Sequence, residues 1–203
     1  MMKLSCFLMF LVCLAAPMYA LDCGKPTVAL DSSHWQQAKP AHLPIEVMFA
    51  NPSGWVGLNH VVMQEEKTEH RVRTLIPTLA PSFVQIFPFP HALEELDNPR
   101  PVFYVHAQDG LAATGLFRPK EAHLVRLKTV GSRRELMVTS GIDGFTIRRQ
   151  PPSSVLVPIA ITRLSGEIFR IQPTQPLQEG EYLILFGYSG GDGFEFGVEC
   201  SRK

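Results

Sequence analysis

The sequence predicts an all-β protein, a single sandwich of short antiparallel strands that follows a cleaved signal peptide. Three observations carry this. Short β-branched and aromatic runs recur along the chain, separated by Gly/Pro/Ser turns. Helical periodicity is scarce. The first residues have the layout of an export signal.

Residues 1–20 begin with one basic residue, Lys3, continue as an apolar run from Cys6 to Ala16, and end at Pro17, Met18, Tyr19 and the small residue Ala20. A basic start, a short apolar core and a small terminal residue are what signal peptidase recognises. The run falls short of the roughly 20 apolar residues a bilayer span needs, and Pro17 discourages prolonging its helix. Cleavage is placed between Ala20 and Leu21; the competing reading is an uncleaved N-terminal anchor. Asp22 directly before Cys23 is a poor context for lipid attachment. No transmembrane span is expected after cleavage, which puts residues 21–203 in the periplasm or outside the cell.

Cys6 and Cys13 leave with the signal, so Cys23 and Cys200 remain, at opposite ends of the mature chain. In an oxidising compartment the economical reading is one structural disulfide between them. An intermolecular bond and two free thiols are the alternatives. Closing so long a loop stabilises by about 5 kcal/mol at most, and it requires Cα atoms within about 7 Å.

Of the 203 residues, 183 remain after residue 20, enough for one domain with a substantial core. Without Lys3 there are 18 basic residues against 19 acidic ones, a net charge of about −1. That balance argues against nucleic-acid binding, which needs a basic face against phosphates. Asn51 is followed by Pro52, which blocks glycosylation.

Strands are expected over Leu43–Phe49, Val56–Met63, Lys67–Ile76, Phe83–Phe87 and Val102–His106. His123–Val130 and Arg134–Thr139, joined by Gly131-Ser132, read as a hairpin. Leu156–Leu164, Glu167–Ile171, Tyr182–Tyr188 and Phe194–Val198 complete the series, the last two as a second hairpin. Both parities of Leu183 to Phe186 are apolar, which marks a strand buried on two faces. From Pro77 to Pro101 six prolines make the stretch loop or edge rather than central sheet. Within it, His91 to Leu96 could make one or two helical turns. The stretch is either a boundary between two small β units or a long connection across one sandwich, and the second is favoured because each half alone would have a thin core.

Ile168-Phe169-Arg170-Ile171-Gln172-Pro173, Pro176-Leu177, Gly180-Glu181-Tyr182 and Phe194-Glu195-Phe196-Gly197-Val198, with Val125 to Lys128 and Arg134 to Leu136 before them, form an I-x-P-x-x-P-L-x-x-G-E-Y…F-G-V series. In this the chain resembles uncharacterised exported bacterial β-domains, over about half its length. The resemblance implies a β fold and export; such domains have no established activity, so it assigns no functional residue. The residues to about Arg100 carry no such likeness.

Motifs that could carry chemistry have structural readings that outweigh them. Gly187-Tyr188-Ser189-Gly190-Gly191 matches the G-x-S-x-G elbow of α/β-hydrolases, but no histidine follows Ser189 and no helix is foreseen there. It reads as a glycine-rich hairpin loop. His34, His42, His60, His70, His91, His106 and His123 show no close ligand pair of the zinc type. Glu65-Glu66 and Glu94-Glu95 are adjacent, so on a strand they point to opposite faces and cannot flank a glycosidic bond. Asp143 and Asp192 are turn residues, without the spacing of a calcium loop. Trp35, Trp55, Tyr104 and Tyr188 are candidates for sugar or peptide binding, with core packing as the ordinary role of aromatics. Arg133-Arg134 with Arg148-Arg149 read as a solvated face of two strands that an acidic partner could use.

These readings leave no catalytic, cofactor or metal residues to nominate. They point to an exported binding or scaffold domain whose partner is an unidentified envelope protein or glycan. The alternatives are an envelope hydrolase assembled from separate strands, or a surface-assembly subunit that donates or accepts an edge strand.

Overall fold

A computed structural model describes residues 45–51, 54–68, 82–107, 121–143, 146–165, 168–186 and 192–199. Residues 1–20, expected as a signal, the Ala20–Leu21 junction, Cys23 and Cys200 lie outside the described residues, as do Trp35, Tyr188, Ser189, His34, His42 and His70. Among the described residues there is no α-helix, and nearly all sheet pairings are antiparallel.

Three sheets form. The first is ordered β13 (Ile159–Ser165), β14 (Ile168–Pro173), β7 (Phe103–Ala107), β1 (Ile45–Asn51) and β2 (Gly54–Gly57). The second runs β12 (Leu156–Val157), β8 (Ala122–Arg126), β15 (Gly180–Phe186), β16 (Asp192–Val198) and β3 (Asn59–Val62), with β6 (Glu95–Leu96) parallel to β16. The third is β11 (Thr146–Gln150), β10 (Arg133–Asp143), β5 (Ser82–Phe87) and β4 (Glu65–Thr68), with β9 (Lys128–Val130) beside β10.

The second sheet is the middle layer, and its pleat explains why. On β15, Tyr182 and Ile184 face the first sheet while Leu183 and Leu185 face the third. On β16, Phe194, Phe196 and Val198 face the first sheet. Residues of alternating parity point to opposite faces, so apolar side chains on both parities fill two cores. The first core gathers Val47, Phe49, Phe103, Leu124, Tyr182 and Phe196 among others; Phe103 and Phe196 have ring centroids 4.7 Å apart. The second gathers Val61, Phe87, Val125, Leu127, Leu136 and Leu183. Each fully buried aromatic or leucine contributes about 1.5–3 kcal/mol.

Strands that change sheets tie the layers together. β2 passes into β3 at Leu58, whose N–H donates to Val47 O at 2.8 Å. β12 passes into β13 at Pro158, whose carbonyl accepts from Thr174 N–H at 3.0 Å. β8 bends into β9 at Leu127, bonded to Glu181 O, and β3 into β4 at Gln64, bonded to Ile86 O. The last two bends join the second and third sheets into a closed ring: β8/β9, β10, β5, β4/β3, β16, β15 and back to β8.

The expected hairpins are present. Gly131 turns β9 into β10 at φ 59°, and β15 pairs antiparallel with β16. Leu156–Leu164 divides at Pro158, and Val56–Met63 divides at Leu58 rather than at Asn59 and His60. Of Lys67–Ile76 only the first two residues are described, in β4. The proline-dense stretch expected to be loop or edge supplies a central strand, β5, paired with β10 on one side and β4 on the other, because Pro81 and Pro88 flank that run rather than interrupt it. The helical turns expected over His91–Leu96 do not form. Glu94 O accepts from Gly197 N–H at 2.8 Å, and Leu96 O from Glu199 N–H at 3.0 Å. The backbone groups a helix would use are thus taken by β16.

Candidate functional site

The most unusual chemistry lies where the closed ring meets the 88–94 loop that follows β5. Alternation along β10 sends Arg134, Leu136 and Val138 inward, and all three are buried. Arg134 is fully buried, at 0 % exposure. This corrects the expectation of a solvated arginine face: Arg133 and Arg134 point to opposite sides of β10, and only Arg133 reaches water, where it pairs with Glu135 at 2.7 Å. The side chains of Arg148 and Arg149 lie outside the described residues.

Arg134 is surrounded by acceptors. Its Nη2 donates to Glu195 Oε2 on β16 and to Pro88 O at 2.8 Å, and its Nε donates to Phe89 O at 3.1 Å. Nη1 lies 3.6 Å from Glu181 Oε2 on β15, an ion pair beyond hydrogen-bond reach. Glu195 also accepts from Asn59 Nδ2 at 2.8 Å. Glu181 accepts from Ala92 N–H at 2.8 Å and contacts His91 Nδ1 at 3.1 Å. One guanidinium therefore holds two carboxylates from neighbouring strands, and the three together hold the loop at Pro88, Phe89, His91 and Ala92. Breaking such a buried pair on one side costs about 3–5 kcal/mol.

The clamp fixes a costly conformation. Among the described residues, Phe89 is the non-glycine at positive φ, 62°. A bulky residue there is strained by about 1–2 kcal/mol. Yet the Phe89 side chain is 67 % exposed, and Leu93, four residues on, is 72 % exposed. Two large apolar groups thus stand in solvent on a loop whose backbone is pinned from beneath.

Compared with known proteins, the chain matches no family model, no curated protein and no solved structure. The reading of its function rests on its own residues.

The other candidates fall into ordinary packing. Trp55 meets Tyr104 edge-on, with centroids 5.0 Å apart, in a small cluster with Met48. His60 contacts Asp192 at 3.1 Å and lies over Phe194. His106 sits in β7. His123 is half-buried on β8, and burial lowers its pKa from 6.5, with Glu121 opposing the shift. On β4, Glu65 is exposed and pairs with Lys67, while Glu66 turns to the other face. Glu94 lies in the loop and Glu95 in β6. Asp143 closes β10 opposite Thr146. Among the described residues no three His, Cys, Asp or Glu side chains come together as metal ligands, and no helix is long and apolar enough to cross a membrane. An open groove of about 410 Å³ lies beside Arg126, Lys128, Ser154 and Gly180, and Arg126 on its wall bonds Gln178 Oε1 and Glu179 O.

The Arg134–Glu181–Glu195 cluster was missed by sequence reasoning, although its signal was present. Glu195 stands among Phe194, Phe196 and Val198, and Arg134 alternates with Leu136 and Val138. A charge at the inward parity of an apolar strand demands a buried partner.

Proposed function

We propose that this chain is an exported binding or scaffold domain of the bacterial cell envelope, and that the 88–94 loop is its contact surface. The observation that carries the reading is Phe89: an exposed aromatic held at positive φ by a buried arginine. Backbone strain persists where surrounding structure over-determines it, and it gathers at recognition sites. A backbone fixed before binding loses less entropy on docking, and aromatic side chains are common anchors. Export follows from the signal-like residues 1–20, and the envelope assignment from the resemblance in the C-terminal segment. The partner is an envelope protein or glycan able to cover Phe89 and Leu93.

The test is in-cell crosslinking with a photoreactive residue at Phe89, and at exposed Thr174 as control, followed by purification and mass spectrometry. A reproducible envelope partner captured from position 89 and not from 174 supports the reading. Equal capture from both positions, or none from 89, overturns it.

A further inference from the structure

Among the described residues most sheet edges are short or charged. Among the described residues β2 has four residues bounded by Gly54 and Gly57, and β12 has two. β4 carries Glu65, Glu66 and Lys67, and β11 carries Arg148 and Arg149. Shortness and charge are the usual protections against edge-to-edge pairing. β13 has neither. It is seven residues long, pairs among the described residues with β14 alone, and begins Ile159-Ala160-Ile161-Thr162 with no charge, proline or glycine. Its register is regular through Arg163 and shifts only between Arg163 and Ser165.

The direction of its free backbone groups follows from its pairing. Thr174 N–H donates to Pro158 O, which sets the bonded parity at 158, 160 and 162. In an antiparallel pair the amides alternate sides, so those of Ile159 and Ile161 point away from β14. Ala160 and Thr162, exposed on the sheet's outer face, are small and uncharged.

We propose that β13 is a self-association edge, through which two copies of this chain pair β13 with β13 antiparallel about a two-fold axis at Ile161. The geometry is self-complementary. The two Ile161 residues exchange both N–H···O=C bonds, and Ala160 of each copy lies opposite Thr162 of the other, with no like charges opposed. The axis sits ahead of the register shift, so the regular part of the strand does the pairing. Two five-stranded sheets become one continuous sheet. This interface is distinct from the Phe89 loop and does not depend on it.

The experiment is sedimentation equilibrium of the purified full-length chain, with and without reductant. Its weight-average mass should rise about twofold between roughly 1 and 500 µM. The double variant Ala160→Lys/Thr162→Lys, which sets lysines directly opposite one another, should remain at one chain throughout. Ala160→Glu/Thr162→Glu should do likewise, and an equimolar mixture of the two should regain the doubled mass, which shows that both are folded. A wild-type chain that stays monomeric, a lysine variant that still doubles, a mixture that stays monomeric, or a dimer that reductant dissolves would each overturn the proposal.

Discussion

Arg134 concentrates the consequences of one buried charge. Arg134→Met keeps the volume but leaves Glu195 and Glu181 buried without their cation. Unfolding free energy by chemical denaturation should fall by about 3–5 kcal/mol, and the Ala92 amide should exchange faster as the loop loosens. Phe89→Asn acts in the opposite sense, because asparagine tolerates the left-handed region. Stability should rise by about 0.5–1 kcal/mol, while capture of the proposed partner from a photoreactive residue at exposed Leu93 is lost; a variant that both destabilises and still binds would show that the strain has no role. His123 gives a pH dependence. Burial lowers its folded pKa below 6.5, so the unfolded chain binds protons more readily and stability falls as pH drops below 6.5. His123→Gln should flatten the slope of denaturation midpoint against pH between about 7 and 5.

Elements show where the sequence was legible. The β9–β10 and β15–β16 hairpins were readable because turn glycines and alternation are local signals. The splits at Leu58 and Pro158 were not, since a strand that changes sheets keeps its β composition through the bend. The 91–96 segment was misread because its helix-like pattern is local, while its hydrogen bonds go to β16, about a hundred residues away. The buried cluster joins strands from residues 134, 181 and 195, and no spacing rule connects them. Gly193 illustrates the same limit: a Cβ there would meet Ile184 O at 2.6 Å and Leu183 Cγ at 2.9 Å. Its role is close strand packing, not turn flexibility alone. Gly193→Ala should cost about 1–3 kcal/mol, read as a lowered denaturant midpoint with unchanged slope.

For the whole molecule, the shared middle sheet is decisive. Both cores use opposite faces of β8 and β15, so neither core can empty while the other stays intact. Unfolding should therefore be a single transition, with the fluorescence of Trp55 in a Trp35→Phe background, which reports on the first sheet, coinciding with far-UV circular dichroism. Phe196→Ala, at the centre of the first core, should cost about 3–5 kcal/mol and shift both signals together. The same sheet also dictates when folding can happen. β3 near residue 60 waits for β16 near residue 195, and β8 waits for β15. A chain emerging from the ribosome holds both unfinished cores open until its C-terminal hairpin has been synthesised. Such late completion keeps the nascent polypeptide unfolded and threadable, a state that the proposed export would use.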